Sequence, residues 1–130
     1  MRHLFFFLVL FFSETAFGQN TDAMKVVSAA RKQIGVTTTY DPAYSKLAYP
    51  MGDVVQSKGV CTDVVVRAYR KVNLDFQALV HQDMKVNFSK YPKIWGLKKT
   101  DTNIDHRRVP NLEVFFKRQG KVLNLPQVSE

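Results

Sequence analysis

The sequence is poor in cysteine, glycine and proline, and each shortage removes a class of protein. A single cysteine, Cys61, excludes a disulfide-stapled scaffold and a zinc site built from paired cysteines. With 6 glycines and 5 prolines among 130 residues, the chain is neither collagen-like nor a low-complexity linker. It also lacks a glycine-rich phosphate loop and a Gly-x-Ser-x-Gly elbow. We therefore expect one globular domain that holds no metal and no cofactor.

The chain also lacks an apolar run long enough to cross a membrane. Its longest run, LFFFLVLFF at 4–12, is far shorter than the ~20 residues that a membrane-spanning helix needs. A basic residue precedes this run, and the small residue Gly18 stands before Gln19 as in a cleavage site. The pattern predicts a signal peptide over 1–18 and a single domain over 19–130. The mature protein is then periplasmic or secreted, without a transmembrane segment; an uncleaved N-terminal anchor is the alternative.

Acidic residues are few: 11 of them stand against 19 Lys and Arg, which gives a formal net charge of +8. In an exported protein, such a charge favours an anionic partner, either cell-wall peptidoglycan or another envelope polymer. Nucleic acid is not expected as a partner. The basic residues are dispersed, with pairs at Lys98-Lys99, Arg107-Arg108 and Lys117-Arg118. The alternative is therefore a basic face that contacts only solvent.

Apolar spacing and capping residues predict helices over residues 23–34, 61–72 and 76–88, and a short one from Pro110 to Gly120. The clearest stripe has helical spacing and consists of Cys61, Val64, Val65, Ala68, Tyr69 and Val72. Asp63, Arg67, Arg70 and Lys71 lie off this stripe. Asp75 is placed to cap the third helix, and Asn73 to turn the chain before it. No convincing sheet is predicted, because 36–60 and 91–109 show no period.

Cys61 has the position of a nucleophile. It is predicted to begin its helix on the inward face, after the flexible Gly59. The free N–H groups and partial positive charge of a helix N-terminus stabilise a thiolate. The alternative is a cysteine that is only a small buried hydrophobe, as free cysteines usually are.

Two histidines outside the leader could act as a base for this thiol. His81 falls on the polar side of its helix, which predicts a surface residue. His106 lies in the long aperiodic segment, where Asp105 or Asp101 could orient its ring and adjacent arginines would lower its pKa. The alternative for His106 is a hydrogen bond that fastens the loop. The neighbouring arginines are expected to form salt bridges.

Four segments resemble the bacterial domain of unknown function family 1287. They are residues 59–70 (GVCTDVVVRAYR), 79–84 (LVHQDM), 91–96 (YPKIWG) and 103–112 (NIDHRRVPNL). That family has been compared with papain-like cell-wall hydrolases of the NlpC/P60 type, in which a cysteine at a helix N-terminus packs on a small antiparallel sheet. The resemblance implies an α+β fold with Cys61 as the nucleophile, and a base histidine on the sheet.

The sequence departs from the family pattern in two respects. Family members continue into strands that include the base histidine, whereas this sequence ends at Glu130. We therefore expect a C-terminally shortened member, the helical half of the papain-like fold with its sheet largely missing, so mostly α. In addition, Met51 stands where the family is expected to have glycine, and Asn73 at a second such position.

Two functions follow as hypotheses. The first is an exported thiol hydrolase of amide bonds in cell-wall peptides, or an inactive remnant of one, with Cys61 as nucleophile. His106 would be the base and Asp105 its orienting partner if no other histidine serves. The second is a non-catalytic basic module that binds an anionic envelope polymer, helped by the tyrosine-rich segment 40–49.

Overall fold

The computed structural model describes residues 15–120, with side chains from residue 21 onward. Its elements in chain order are α1 (Thr15–Arg31), β1 (Thr39–Tyr40), β2 (Lys58–Gly59), α2 (Cys61–Arg70), α3 (Phe76–Asn87), a 3₁₀ helix (Phe88–Lys90), a second 3₁₀ helix (Asp105–Arg107) and α4 (Val109–Gln119). The apolar run at 4–12, on which the predicted signal peptide depends, and the residues after Gly120 lie outside this range. The described part is mixed α+β in class and dominated by helix. None of its helices is long and apolar enough to span a bilayer.

The helices predicted over 61–72 and 76–88 are confirmed as α2 and α3, which form a hairpin. α2 begins at Cys61, and Asn73 turns the chain with a left-handed φ of 62°. Asp75 caps α3 by accepting a hydrogen bond from the backbone N–H of Gln77 at 3.3 Å. Met51 also has a left-handed φ, of 66°. Both positions where glycine was expected therefore have the backbone conformation that favours glycine.

The core lies between α2, α3 and α4. Its buried side chains are Val66, Phe76, Val80, Met84, Tyr91, Leu112 and Phe115. Phe76 is at the centre of an aromatic cluster, with its ring 4.6 Å from that of Tyr69 and 5.8 Å from that of Phe115. Each such side chain stabilises the fold by about 1.5–3 kcal/mol through burial. α4 begins around Pro110 and is followed by Gly120, as predicted.

The prediction of which face α2 buries was right in part, since Ala68 is buried and Val65 and Tyr69 pack against the core. The helix buries Thr62, Asp63, Val66 and Ala68, whereas Cys61 is exposed. α2 packs against α1, β2, α3 and the second 3₁₀ helix. Gln33, just after α1, donates to the carbonyl oxygen of Val64 at 2.9 Å. A single apolar stripe cannot describe a helix with several partners. The exposed thiol also excludes the interpretation of Cys61 as a buried hydrophobe.

Residues 36–60 and 91–109, the two segments without a sequence period, are held in place by a pair of strands within the first segment and by hydrogen bonds from one buried side chain to both. β1 and β2 form a short parallel pair, with Thr39 opposite Lys58 and Tyr40 opposite Gly59. This pair was not predicted, and it is the only sheet within residues 15–120. Gln77, which is fully buried, connects both segments to α3 through hydrogen bonds to residues of 48–52 and to Thr102.

Candidate active site at the start of helix α2

Cys61 is the first residue of α2, and its side chain is exposed. Val60 precedes it in an extended conformation, so the chain enters the helix sharply at the thiol. Gly59 packs against the first turn so closely that a Cβ on it would lie 2.8 Å from Oδ2 of Asp63. A side chain at residue 59 would therefore displace the carboxylate that holds this turn.

A buried ion pair lies directly beneath the thiol turn. Arg107 donates from Nε to Oδ1 of Asp63 at 2.9 Å and from Nη2 to Oδ2 at 3.0 Å, and both side chains are almost fully buried. The same carboxylate accepts the backbone N–H of Val60 at 2.7 Å. Asp63 is therefore buried, although it lies off the apolar stripe. The charges of the pair balance each other where water cannot screen them.

Arg107 also connects the thiol turn to two other segments. Its guanidinium donates to the carbonyl oxygens of Asp41 at 3.2 Å and Ala43 at 3.1 Å. Its own carbonyl oxygen accepts the hydroxyl of Thr62 at 2.8 Å. The prediction that an arginine of this segment forms a salt bridge is confirmed, and the pair fixes Cys61 relative to the second 3₁₀ helix and to 41–43.

His106 is buried in the interior. Burial lowers its pKa to about 4, with smaller contributions from charged neighbours that include Arg107. Its Nδ1 atom is buried and has no hydrogen-bond partner within the described residues, and no hydrogen bond there joins the ring to Cys61. At neutral pH the ring is therefore an uncharged part of the interior.

The expectation that Asp105 or Asp101 orients the ring of His106 was wrong. The carboxylate of Asp105 turns back along the chain, where Oδ2 accepts the backbone N–H of Asp101. Consecutive residues of a 3₁₀ helix point in different directions, so Asp105 and His106 do not share a face. The backbone carbonyl of Asp105 is held by the side-chain amide of Asn111 at 3.0 Å. Burial raises the pKa of Asp105.

His81 was predicted on the surface, and this was also wrong. Its ring is half-buried and meets the ring of Tyr49 edge-on, with 5.4 Å between centroids. Its Nδ1 atom is buried without a partner among residues 15–120. The helical spacing did place His81 away from the core stripe, but it could not show that a loop covers this side of α3.

A basic groove of about 930 Å³ lies between α1, α2 and residues 51–56. Five basic residues line this groove: Lys25, Lys32, Arg67, Arg70 and Lys71. None of the three basic pairs in the sequence belongs to it. Sequence analysis missed this concentration of charge because its members come from two helices; the spacing of seven between Lys25 and Lys32 was the available indication.

No group of three His, Cys, Asp or Glu side chains in the described part of the chain could hold a metal ion. Within residues 15–120, neither His81 nor His106 forms a hydrogen bond with Cys61. The arrangement can therefore supply a nucleophile and a rigid helix N-terminus, but within this range it supplies no base for the thiol.

Comparison with known proteins places the chain in a family. The family model described as "Domain of unknown function (DUF1287)" matches residues 27–130. The uncharacterised protein YijF of Escherichia coli K12 is 57% identical over 98 residues, which are 75% of this chain and 48% of that protein. The chain thus spans about half the length of this curated relative. No solved structure matches it. The chain belongs to the DUF1287 family.

Proposed function

We propose that this chain carries the nucleophile, Cys61, of an exported thiol hydrolase that acts on amide bonds of cell-wall peptides. The observation that carries the proposal is the exposed thiol on the first residue of α2, held by the buried pair of Asp63 and Arg107. A nucleophile must be accessible and positioned, and this thiol is both. The papain-like relationship of the family is part of the same proposal.

The proposed reaction has two steps. The Cys61 thiolate attacks the carbonyl carbon of the scissile amide, and the resulting oxyanion is stabilised by N–H groups in the first turn of α2 that have no intrahelical partner. The C–N bond then breaks, the amine leaves with a proton, and a thioester remains on Cys61. Water hydrolyses the thioester, which releases a carboxylic acid and restores the thiol.

The proton for the departing amine needs a general acid. Neither His81 nor His106 forms a hydrogen bond with Cys61, and His106 is buried in its neutral form. We propose that the acid–base residue belongs to a part of the family domain other than residues 15–120. General acid–base help contributes about 10²–10⁴-fold to such reactions. We therefore expect no measurable amidase activity from this chain alone.

The test combines labelling with cleavage. The chain is treated with a peptidyl chloromethyl ketone, which should alkylate Cys61 but not the Cys61→Ser variant. The longer Escherichia coli relative is assayed in parallel on purified peptidoglycan, with and without serine at the position aligned with Cys61. Cleavage that is lost with this substitution supports the proposal. A relative that cleaves equally well as the serine variant, or a Cys61 that resists the reagent in the folded chain, overturns it.

The role of His106 is tested on this chain directly. Wild type, His106→Ala and Cys61→Ala are assayed together on purified peptidoglycan, with circular dichroism to confirm folding. We expect all three to be inactive. If wild type cleaves and both folded variants do not, His106 is the base and our assignment of the base elsewhere is wrong.

The basic groove supports a second candidate function, the binding of an anionic envelope polymer. Arg67 shapes this groove rather than offering free donors, because its guanidinium already bonds Asp53, Thr37 and three backbone carbonyls. Lys32 and Lys71 line the groove without an ion pair to any described residue. They are the cations available to a ligand.

This second candidate is tested by charge reversal. Binding to an anionic envelope polymer should weaken steeply with salt and fall in the Lys32→Glu/Lys71→Glu variant. Lys98→Glu/Lys99→Glu is the matched control, since it changes the same charge outside the groove. Equal losses in the two variants would show attraction by net charge only, and the groove would not be the binding site.

A further inference from the structure

Exposed apolar side chains surround the basic groove. Met24, Val36 and Met51 line it, and they are 61%, 45% and 56% exposed. Ile34, which is 81% exposed, is a near neighbour of Val36 in the chain, and Val55, which is 71% exposed, is a near neighbour of Met51. A soluble protein rarely exposes several large apolar side chains in one place, and such a patch marks contact with another surface.

Arg67 holds the two segments that carry most of these side chains. Its guanidinium donates to the carboxylate of Asp53 at 2.8 and 2.9 Å, and to the hydroxyl of Thr37 at 3.0 Å. Thr37 in turn donates to the backbone carbonyl of Gln56 at 2.8 Å. Residues around 36 and around 55 therefore form one continuous edge of the groove, and their apolar side chains are presented together.

The charge of the groove indicates what kind of surface it contacts. Asp53 is the only acidic residue among the described residues that line it, and it is paired with Arg67. Lys32 and Lys71 line the groove without an ion pair to any described residue. Lysines are almost never buried without a partner, so a surface that covers the groove must itself carry anionic groups. The same surface must also offer an apolar layer to Met24 and Val36.

We propose that this face of the protein binds the surface of an anionic lipid bilayer. The two lysines contact the lipid phosphates, and Met24 and Val36 enter between the head groups. A bilayer presents phosphates at its surface and acyl chains directly beneath them, so it matches both kinds of side chain. A dissolved polyanion would match the lysines and would leave the apolar side chains in water.

This binding goes beyond both candidate functions. It does not rest on the thiol, because Cys61 is not among the residues that line the groove. It also differs from the binding of an envelope polymer, because it requires the apolar side chains as well as the charge. The two requirements can be removed one at a time by substitution.

The experiment is co-sedimentation with large vesicles of phosphatidylcholine alone, or of an equal mixture of phosphatidylcholine and phosphatidylglycerol. The predicted mature chain, residues 19–130, is used, because the apolar run at 4–12 could itself enter a bilayer. This form keeps every side chain that the structure describes. We expect binding to the anionic vesicles, and binding weaker by about tenfold or more to phosphatidylcholine alone, since lysines are attracted to an anionic leaflet.

A pair of neutral substitutions removes the apolar contribution. Met24→Ser/Val36→Ser takes away two exposed apolar side chains without changing the charge, and should weaken binding to the anionic vesicles by about tenfold or more. Val86→Ser/Ile94→Ser is the matched control, because these side chains are also exposed but do not line the groove. The control should bind as the wild type does. Circular dichroism confirms that both variants fold.

Dextran sulfate, a dissolved polyanion, separates a bilayer from a polymer as the partner. The charge reversal Lys32→Glu/Lys71→Glu should weaken binding to vesicles and to dextran sulfate alike, because it removes the attraction to any polyanion. The serine pair at residues 24 and 36 should weaken binding to vesicles only. A chain that binds dextran sulfate but no anionic vesicle has a polymer as its partner, and the proposal is then wrong.

Two further results would overturn the proposal. If the serine pair binds anionic vesicles as well as the wild type does, charge alone attracts the protein and the apolar side chains take no part. If the serine pair and its control lose the same affinity, the contact is not at the groove. Failure of the hydrolase proposal, which is a relative that cleaves equally well without its cysteine, leaves all of these measurements unaffected.

Discussion

Arg107 donates two hydrogen bonds to the carboxylate of Asp63 beneath the first turn of α2, and both side chains are almost completely buried. The two residues lie 44 positions apart in the sequence. Their pairing is what connects the second 3₁₀ helix to the thiol turn. The position of Cys61 therefore depends on a residue that belongs to a different part of the chain.

Replacing Arg107 with Met should destabilise the protein strongly, because Asp63 would keep a buried charge without a partner. Loss of one member of a buried pair costs about 3–5 kcal/mol. Arg118→Met is the matched control, since the side chain of Arg118 is partly exposed in its pair with Asp83 and its loss should destabilise the protein far less. Urea unfolding monitored by circular dichroism measures both values. Similar losses in the two variants would contradict the structural role of Arg107.

The buried His106 should make stability depend on pH. Its pKa is about 4 in the folded chain and 6.5 as the unperturbed value, so the unfolded state binds a proton first as pH falls. Stability from this group is complete above 6.5 and is lost as pH falls towards 4, by about 3 kcal/mol at most. The measurement is the free energy of unfolding between pH 7.5 and pH 4.5.

The matched variant for this prediction is His106→Gln, which removes the titrating ring. Its stability should fall less steeply with acid than that of the wild type over the same interval. If the two slopes coincide, the pH dependence comes from other groups and His106 is not buried in its neutral form.

Cys61 should react in the native protein. Iodoacetamide at neutral pH should alkylate it without denaturant, at least as fast as it alkylates N-acetylcysteine, because the thiol is exposed at a helix N-terminus. Cys61→Ala should abolish labelling and leave the melting temperature unchanged within about 2 °C, since an exposed side chain contributes little to stability. Labelling that requires unfolding would mean that the thiol is inaccessible, contrary to the structure.

The helices α2, α3 and α4 could be predicted from the sequence because their determinants are local. The first helix was predicted over 23–34 but extends over Thr15–Arg31, so both of its ends were misplaced. Asp75 caps α3 from the adjacent position, Asn73 turns the chain by itself, and the start of α2 at Cys61 follows from spacing alone. Pro110 and Gly120 bound α4 in the same way. The resemblance to family 1287 was likewise carried by short contiguous segments, and the family match confirms it.

The candidate site could not be predicted to the same extent, because its contacts are distant in sequence. A charged residue off an apolar stripe is normally solvated, so Asp63 gave no indication of a buried partner. α2 packs against several elements of the chain at once, so its apolar spacing did not show that Cys61 is exposed. For His81 and His106, sequence spacing could not show which loop covers one ring or how deeply the other is buried.

Gln77 should be a stability determinant although it is neither apolar nor charged. It is 1% exposed, accepts the N–H of Gly52 at 2.8 Å, and donates to the carbonyls of Ala48 at 2.8 Å and Thr102 at 3.0 Å. Gln77→Leu keeps the volume and the helix but removes the partner of all three backbone groups, of which the N–H of Gly52 is buried and the two carbonyls are part-buried. At about 1–3 kcal/mol for the buried group and less for each of the other two, we expect a loss of a few kcal/mol.

The readout for Gln77 has two parts, because the residue connects loops to a helix. Urea unfolding gives the free energy, and limited proteolysis shows whether cleavage begins within 45–52 and 97–103. Gln82→Leu is the matched control on the exposed side of the same helix, and should change stability by no more than about 0.5 kcal/mol. If Gln77→Leu unfolds like this control and its loops stay protected, the backbone groups find other partners. The two aperiodic segments would then be held by their own turns and by the pairing of β1 with β2.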